Sequence, residues 1–131
     1  MAVNNPYAAY QKNKIQTASP AELTLILYDA AIKFCNVALR AIEEDDVESR
    51  HTNIVKAEKI IEEFLATLNY KYEVAKDFEQ VYNYIYHLLV EANIHNDAEK
   101  LEEALQHLRD MREIWKEIMK QARQMEASHK E

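Results

Sequence analysis

Apolar residues recur along this chain at alternating spacings of three and four, the period that lines one face of an α-helix. The pattern is cleanest late in the chain, where Leu101, Ala104, Leu108, Met111, Trp115, Ile118, Ala122 and Met125 hold a seven-residue repeat for more than three heptads. Phe78, Val81, Ile85, Leu88 and Ala92 mark a helix before it, and Ile54, Ala57, Ile61, Phe64 and Leu68 mark another, ending near Asn69. The first helix is predicted over Pro20–Glu43 from its start signals: Ser19 suits an N-cap, Pro20 the first helical position, and Glu22 completes an S-x-x-E capping box by reaching back to the Ser19 amide. Breaks fall at EEDD (43–46), within NYKYEVAKDF (69–78), and over 93–97, where Asn96 or Asp97 is the next N-cap. Residues 1–18 show no usable period and read as a flexible N-terminal arm, and the closing ASHKE (127–131) is expected to fray. Four long helices on short connections predict an all-α fold, an antiparallel four-helix bundle. It forms one domain over 1–131, with the arm at 1–18 and the bundle at 19–127.

The first helix does not fit a simple bundle. On a wheel of about 100° per residue, Leu23, Leu27, Ala30, Phe34, Val37 and Ala41 form one stripe and are assigned to the core. A second apolar set, Leu25, Tyr28, Ile32, Cys35 and Leu39, lies roughly half a turn away, and Asp29, Lys33, Asn36 and Arg40 make the polar strip. A surface helix normally keeps about half its circumference wet, so the second set calls for a cover: asymmetric packing within the bundle, or a docking groove for another polypeptide. Tyr86 shows a similar excess on the third helix, and Tyr7, Tyr10 and Ile15 on the arm are candidates to cover such a groove. The candidate partner-binding residues are therefore Tyr7, Tyr10, Ile15, Leu25, Tyr28, Ile32, Leu39 and Tyr86.

Composition narrows the chemistry. The 131 residues are 48% hydrophobic, enough for one core, and contain no glycine and only two prolines, which leaves little material for phosphate-cradling loops or tight β-turns. A net charge of -7 argues against nucleic acid or an anionic membrane as the main partner. The single cysteine, Cys35, allows no internal disulfide, sits in an apolar run as a small buried hydrophobe would, and suits a reducing compartment. With no apolar signal-peptide core at the start and no membrane-length apolar run, the cytoplasm is the expected location.

No cofactor or metal is expected. Glu48-x-x-His51 and Glu126-x-x-His129 have the spacing of bundle di-metal motifs, but both lie at element ends, without inward carboxylates at mid-helix core positions. His87, Glu91 and His95 share a face with Gln80 and Asn83 and read as a solvated strip. No nucleophile, base and orienting group stand in a recognisable pattern, so the chain is not expected to be an enzyme.

Several of these segments together resemble a known family. Tyr7-x-x-Tyr10, TASPAEL at 17–23 and LYDAAI at 27–32 resemble the N-terminal signature of the flagellar secretion chaperone FliS family. KAEKIIEEFLATLN (56–69), YNYIYHLLVEAN (82–93) and WKEI (115–118) are similar to its later blocks, so the resemblance spans about 7–118. Ala30 and the glycine-free connection between the second and third helices depart from the family pattern. Alanine at 30 should strengthen the helix by up to about 1 kcal/mol relative to glycine.

The resemblance implies a cytoplasmic export chaperone that binds the C-terminal segment of flagellin, prevents premature polymerisation and assists delivery to the flagellar type III export apparatus. It also implies a monomer that binds flagellin one to one, with room for export-gate components or other flagellar regulators as further partners. The alternative reading of the spare apolar face is a helical-bundle dimerisation or scaffolding module.

Overall fold

The computed structural model describes residues 17–129. Those residues form four helices: α1 Pro20–Glu43, α2 Val47–Thr67, α3 Ala75–His95 and α4 Ala98–His129. The connections span only 44–46, 68–74 and 96–97, so consecutive helices must run antiparallel. In the resulting ring α1 packs on α2 and α4, and α3 packs on the same two from the opposite corner.

Each boundary has a local cause. The Ser19 hydroxyl accepts the Glu22 amide at 3.2 Å and donates to the Glu22 carboxylate at 3.1 Å. The capping box is therefore closed through the hydroxyl, not through the Ser19 amide that the S-x-x-E pattern predicts. Asp46 caps α2 by accepting the Ser49 amide at 3.0 Å, and Asp97 caps α4 by accepting the Lys100 amide at 3.2 Å. Without glycine, the two sharpest turns take left-handed backbone at Asp45 (φ 57°) and Asn96 (φ 53°), residue types whose short polar side chains tolerate that region. Asn96 thus closes α3 and leaves the capping of α4 to Asp97. α2 stops at Thr67, close to the expected Asn69, whereas α4 continues through Ala127, Ser128 and His129, where the sequence predicts fraying.

The core stripes of α2, α3 and α4 follow the predicted spacing, with Ile54, Ile61, Ile85, Leu101 and Leu108 sealed from solvent. The stripe assigned to α1 needs correction. The residues of α1 that face inward are Tyr28, Ala31, Cys35, Ala38 and Ala41, whereas Val37, placed in the core by the wheel, is 38% exposed. Leu27, Ala30 and Phe34 are only partly buried against the core. The reason is size. Ala31, Cys35 and Ala38 form a narrow seam that lets the neighbouring helices approach closely, and the larger side chains of α1 are left on the flanks.

Tyr28 is the exception to that small seam and the centre of the bundle. Its ring lies 4.6 Å from Phe64 of α2, which stacks on Tyr82 of α3 at 5.2 Å. The hydroxyls of Tyr28 and Tyr82, both buried, are hydrogen-bonded to each other, so neither is left unpaired in the apolar interior. Burial, together with the neighbouring hydroxyl, pushes the Tyr28 phenol well above its ordinary value, and burial raises Tyr82 as well.

Cys35, on the same seam, is sealed, and loss of hydration raises its thiol from 9.0 to about 12. A folded-state value raised above the unfolded one leaves stability intact below pH 9 and removes it as pH climbs from 9 toward 12, because only the unfolded chain ionises freely there. Chemical unfolding between pH 8 and pH 10 should therefore show falling stability, by at most about 1.4 kcal/mol per pH unit from this group. Cys35→Ala should flatten that slope, and an equal slope in both proteins would show that the thiol does not cause it.

Candidate functional site

The flanks of α1 hold the surplus apolar surface. Leu25, Ile32 and Leu39 recur every seven residues, two turns apart, and so lie on one line along the helix. All three are partly buried: Ile32 and Leu39 pack against the core with one side, and the other stays open. Leu25 lines a shallow groove of about 360 Å³ with Met119, Lys116, Lys120 and Arg123 of α4. Ile32 and Val37 border a second, open depression of about 300 Å³ on the outer face of α1, lined by α1 residues alone, with Asp29, Lys33, Asn36 and Arg40 between them. Asp29, at the edge of the second depression, accepts a hydrogen bond from Arg112 Nε of α4, and Arg112 also reaches Glu113 of the first groove at 3.0 Å. Trp115 Nε1 donates to the Ala21 carbonyl at 3.0 Å and ties α4 to the first turn of α1.

Past this tie α4 outruns the bundle. It is 32 residues long against 21 in α2 and in α3, and from Gln121 to His129 every residue is exposed, including Met125 at 63%. The predicted heptad continues through Ala122 and Met125, but no described helix covers them.

The structure brings only some of the sequence-predicted site residues together. Leu25, Ile32 and Leu39 share the α1 flank. Tyr28 does not belong with them: it has no exposed surface, and a partner lying along α1 cannot reach it. Its place on the wheel beside Leu25 and Ile32 reflects the misjudged inward direction of α1. Tyr86 stands on the α2/α3 edge, on the opposite side of the ring, where its hydroxyl donates to Glu62 at 2.9 Å. Tyr7, Tyr10 and Ile15 lie outside the described residues.

The grooves also contain residues that the sequence reading set aside. Lys33, Asn36 and Arg40 appear there as a polar strip, yet they frame Ile32 and Val37. Lys116, Lys120 and Arg123 sit off the heptad stripe, and only the antiparallel packing of α4 on α1 sets them beside Leu25. The available signal was the run of small residues at 31, 35 and 38, which marks the face of closest helix approach.

Among the described residues no three His, Cys, Asp or Glu side chains converge as metal ligands, and no buried side-chain polar atom lacks a partner. No described helix is long and apolar enough to cross a membrane. The fold is a four-helix bundle with partly uncovered apolar side chains along α1, framed by lysine and arginine of α1 and α4.

Comparison with known proteins gives this bundle its family. The family described as Flagellar protein FliS matches residues 3–122, and the chain belongs to it. It is 44% identical over 123 residues to the flagellar secretion chaperone FliS of Bacillus subtilis, covering 94% of this chain and 92% of that protein. The Campylobacter jejuni protein of the same name is 31% identical over 120 residues, covering 90% and 94%, and the Salmonella typhimurium one 32% over 114, covering 85% and 84%. The family is one of chaperones, not enzymes.

Proposed function

We propose that the chain is a cytoplasmic export chaperone that holds the C-terminal segment of flagellin, keeps it from polymerising early and hands it to the flagellar type III export apparatus. The observation that carries this reading is the row of Leu25, Ile32 and Leu39, partly open along α1, with the Leu25 groove at one end and Val37 exposed across the polar strip, in a member of the flagellar secretion chaperone family. A flagellin terminus must be apolar enough to pack into a filament, and the same surface is an aggregation hazard before export. An amphipathic helix of the tail lying along α1 would place residues at i, i+3, i+4 and i+7 against this row.

The energetics suit capture followed by release. Full burial of one large apolar side chain is worth about 1.5–3 kcal/mol, and these residues are already partly covered, so each adds less. Ordering the tail costs about 2–5 kcal/mol or more. Several anchors are therefore needed, and a tail that wraps from the α1/α4 edge to the α2/α3 edge reaches Tyr86 as well. Tyr7, Tyr10 and Ile15 supply further aromatic and apolar contacts to the tail in this reading.

The expected result is a one-to-one complex with monomeric flagellin, detected by light scattering after gel filtration, and no complex with flagellin lacking its C-terminal segment. Equal binding of both forms would contradict the assignment of the tail as cargo.

A further inference from the structure

Charge sets the α1/α4 edge apart from the rest of the molecule. The chain carries -7 overall, yet Lys116, Lys120 and Arg123 surround the Leu25 groove, and Lys33 and Arg40 flank Ile32 and Val37. The acidic residues in the same linings are Glu113, Glu117 and Asp29; Asp29 is already engaged by Arg112, and Glu113 by Arg112 and by Lys116 at 3.9 Å, and the five cations exceed the three acids there by two. Arg112 contacts a residue of each lining and is 27% exposed. It donates through Nε to Asp29 and through Nη1 to Glu113, and a guanidinium has five N–H donors, so Nη2 is left to face a further carboxylate.

We propose that the α1/α4 edge is a charge-reading track for an acidic amphipathic segment of the exported cargo, with apolar side chains set over Leu25 and Ile32 and a carboxylate taken by Arg112 at the midpoint. This rests on the reading that the flagellin C-terminal segment docks on this edge. Leu25 and Ile32 lie two turns apart, about 10.5 Å, so a docked helix spans both grooves with anchors at i and i+7 and must cross the level of Arg112 between them. A basic segment would meet the cationic side chains of Lys33, Arg40, Lys116, Lys120 and Arg123 there; an acidic one is drawn in and held in register. Asp29 competes with the incoming carboxylate for the same guanidinium.

The test is a titration of the full chain with the flagellin C-terminal segment at low and at high salt, about 50 and about 500 mM, using the fluorescence of Trp115, the only tryptophan, and calorimetry as a second readout. The double variant Lys116→Glu and Lys120→Glu should bind about ten-fold more weakly and lose most of the salt dependence. Lys116→Gln with Lys120→Gln should lie between, and Asp29→Asn should bind more tightly than the parent. Melting curves establish that each variant is folded. Wild-type binding that is indifferent to salt and to all three changes overturns the track while leaving flagellin binding intact. No binding by the wild-type chain overturns the docking reading and the track with it. A dimer of the free chain that Lys116→Glu with Lys120→Glu dissolves would give the edge to a second copy, and overturns the proposal.

Discussion

Replacing Tyr28 with alanine is expected to remove about 3–5 kcal/mol of unfolding free energy, the range seen when a large aromatic is truncated in a packed core. Domains of this size are stable by only about 5–15 kcal/mol, so the variant should melt far below the parent or fail to fold. Two costs add. The ring is enclosed against Phe64 and cannot be replaced by movement of the small residues beside it, Ala31 and Cys35. Its loss also leaves the buried Tyr82 hydroxyl without its partner.

The two costs can be separated. Tyr28→Phe keeps the ring and should cost about 1–3 kcal/mol, the penalty of an unsatisfied buried hydroxyl. Tyr28→Phe with Tyr82→Phe removes both hydroxyls and should recover most of that loss. Urea unfolding of the parent, the two single variants and the double variant closes the cycle. A double variant as unstable as the sum of its parts would show that the hydroxyls do not act as a pair. Because Tyr28 is sealed from solvent, the same variants should alter flagellin binding only as far as they alter folding.

The extent of the helices was legible in the sequence because their causes are local. Ser19 with Pro20, Asp46, and Asp97 each announce a start through a side chain and an amide three residues on. The core of α2, α3 and α4 was legible for a related reason: each has one dominant stripe of large apolar residues, and only one direction can be inward. On α1 two stripes compete, and the wheel shows their separation without showing which one neighbours cover. That depends on how closely α2 and α4 approach, which Ala31, Cys35 and Ala38 decide by being small.

The pairs that define the site and the core centre are equally non-local. Tyr82 meets Tyr28 across 54 positions and Arg112 meets Asp29 across 83, distances over which no periodicity carries information. Tyr28 therefore reads as a groove wall from its wheel position beside Leu25 and Ile32, whereas its hydroxyl is satisfied inside by Tyr82. Leu25, Ile32 and Leu39 kept their place on an open flank because the second stripe is wide, and only its Tyr28 and Cys35 side turns inward.

The central claim is that this flank of α1 is where the flagellin tail binds, and two substitutions bear on it most directly. Val37 is already 38% exposed, so Val37→Asp should change the melting temperature little while placing a charge in the second groove. Ile32 packs one side on the core, so Ile32→Asp should cost stability, about 1–3 kcal/mol, but leave a cooperative melting transition. Both positions line the same groove, so a partner that buries it must desolvate the introduced carboxylate or forgo the contact. Loss of the apolar anchor adds to that penalty.

Calorimetric titration of the parent, Val37→Asp and Ile32→Asp with the flagellin C-terminal segment measures this. The account predicts binding at least about ten-fold weaker for Val37→Asp, equivalent to about 1.4 kcal/mol, and no detectable binding for Ile32→Asp, with both proteins still folded. Parent-like affinity in both folded variants would place the tail elsewhere on the bundle and contradict the account.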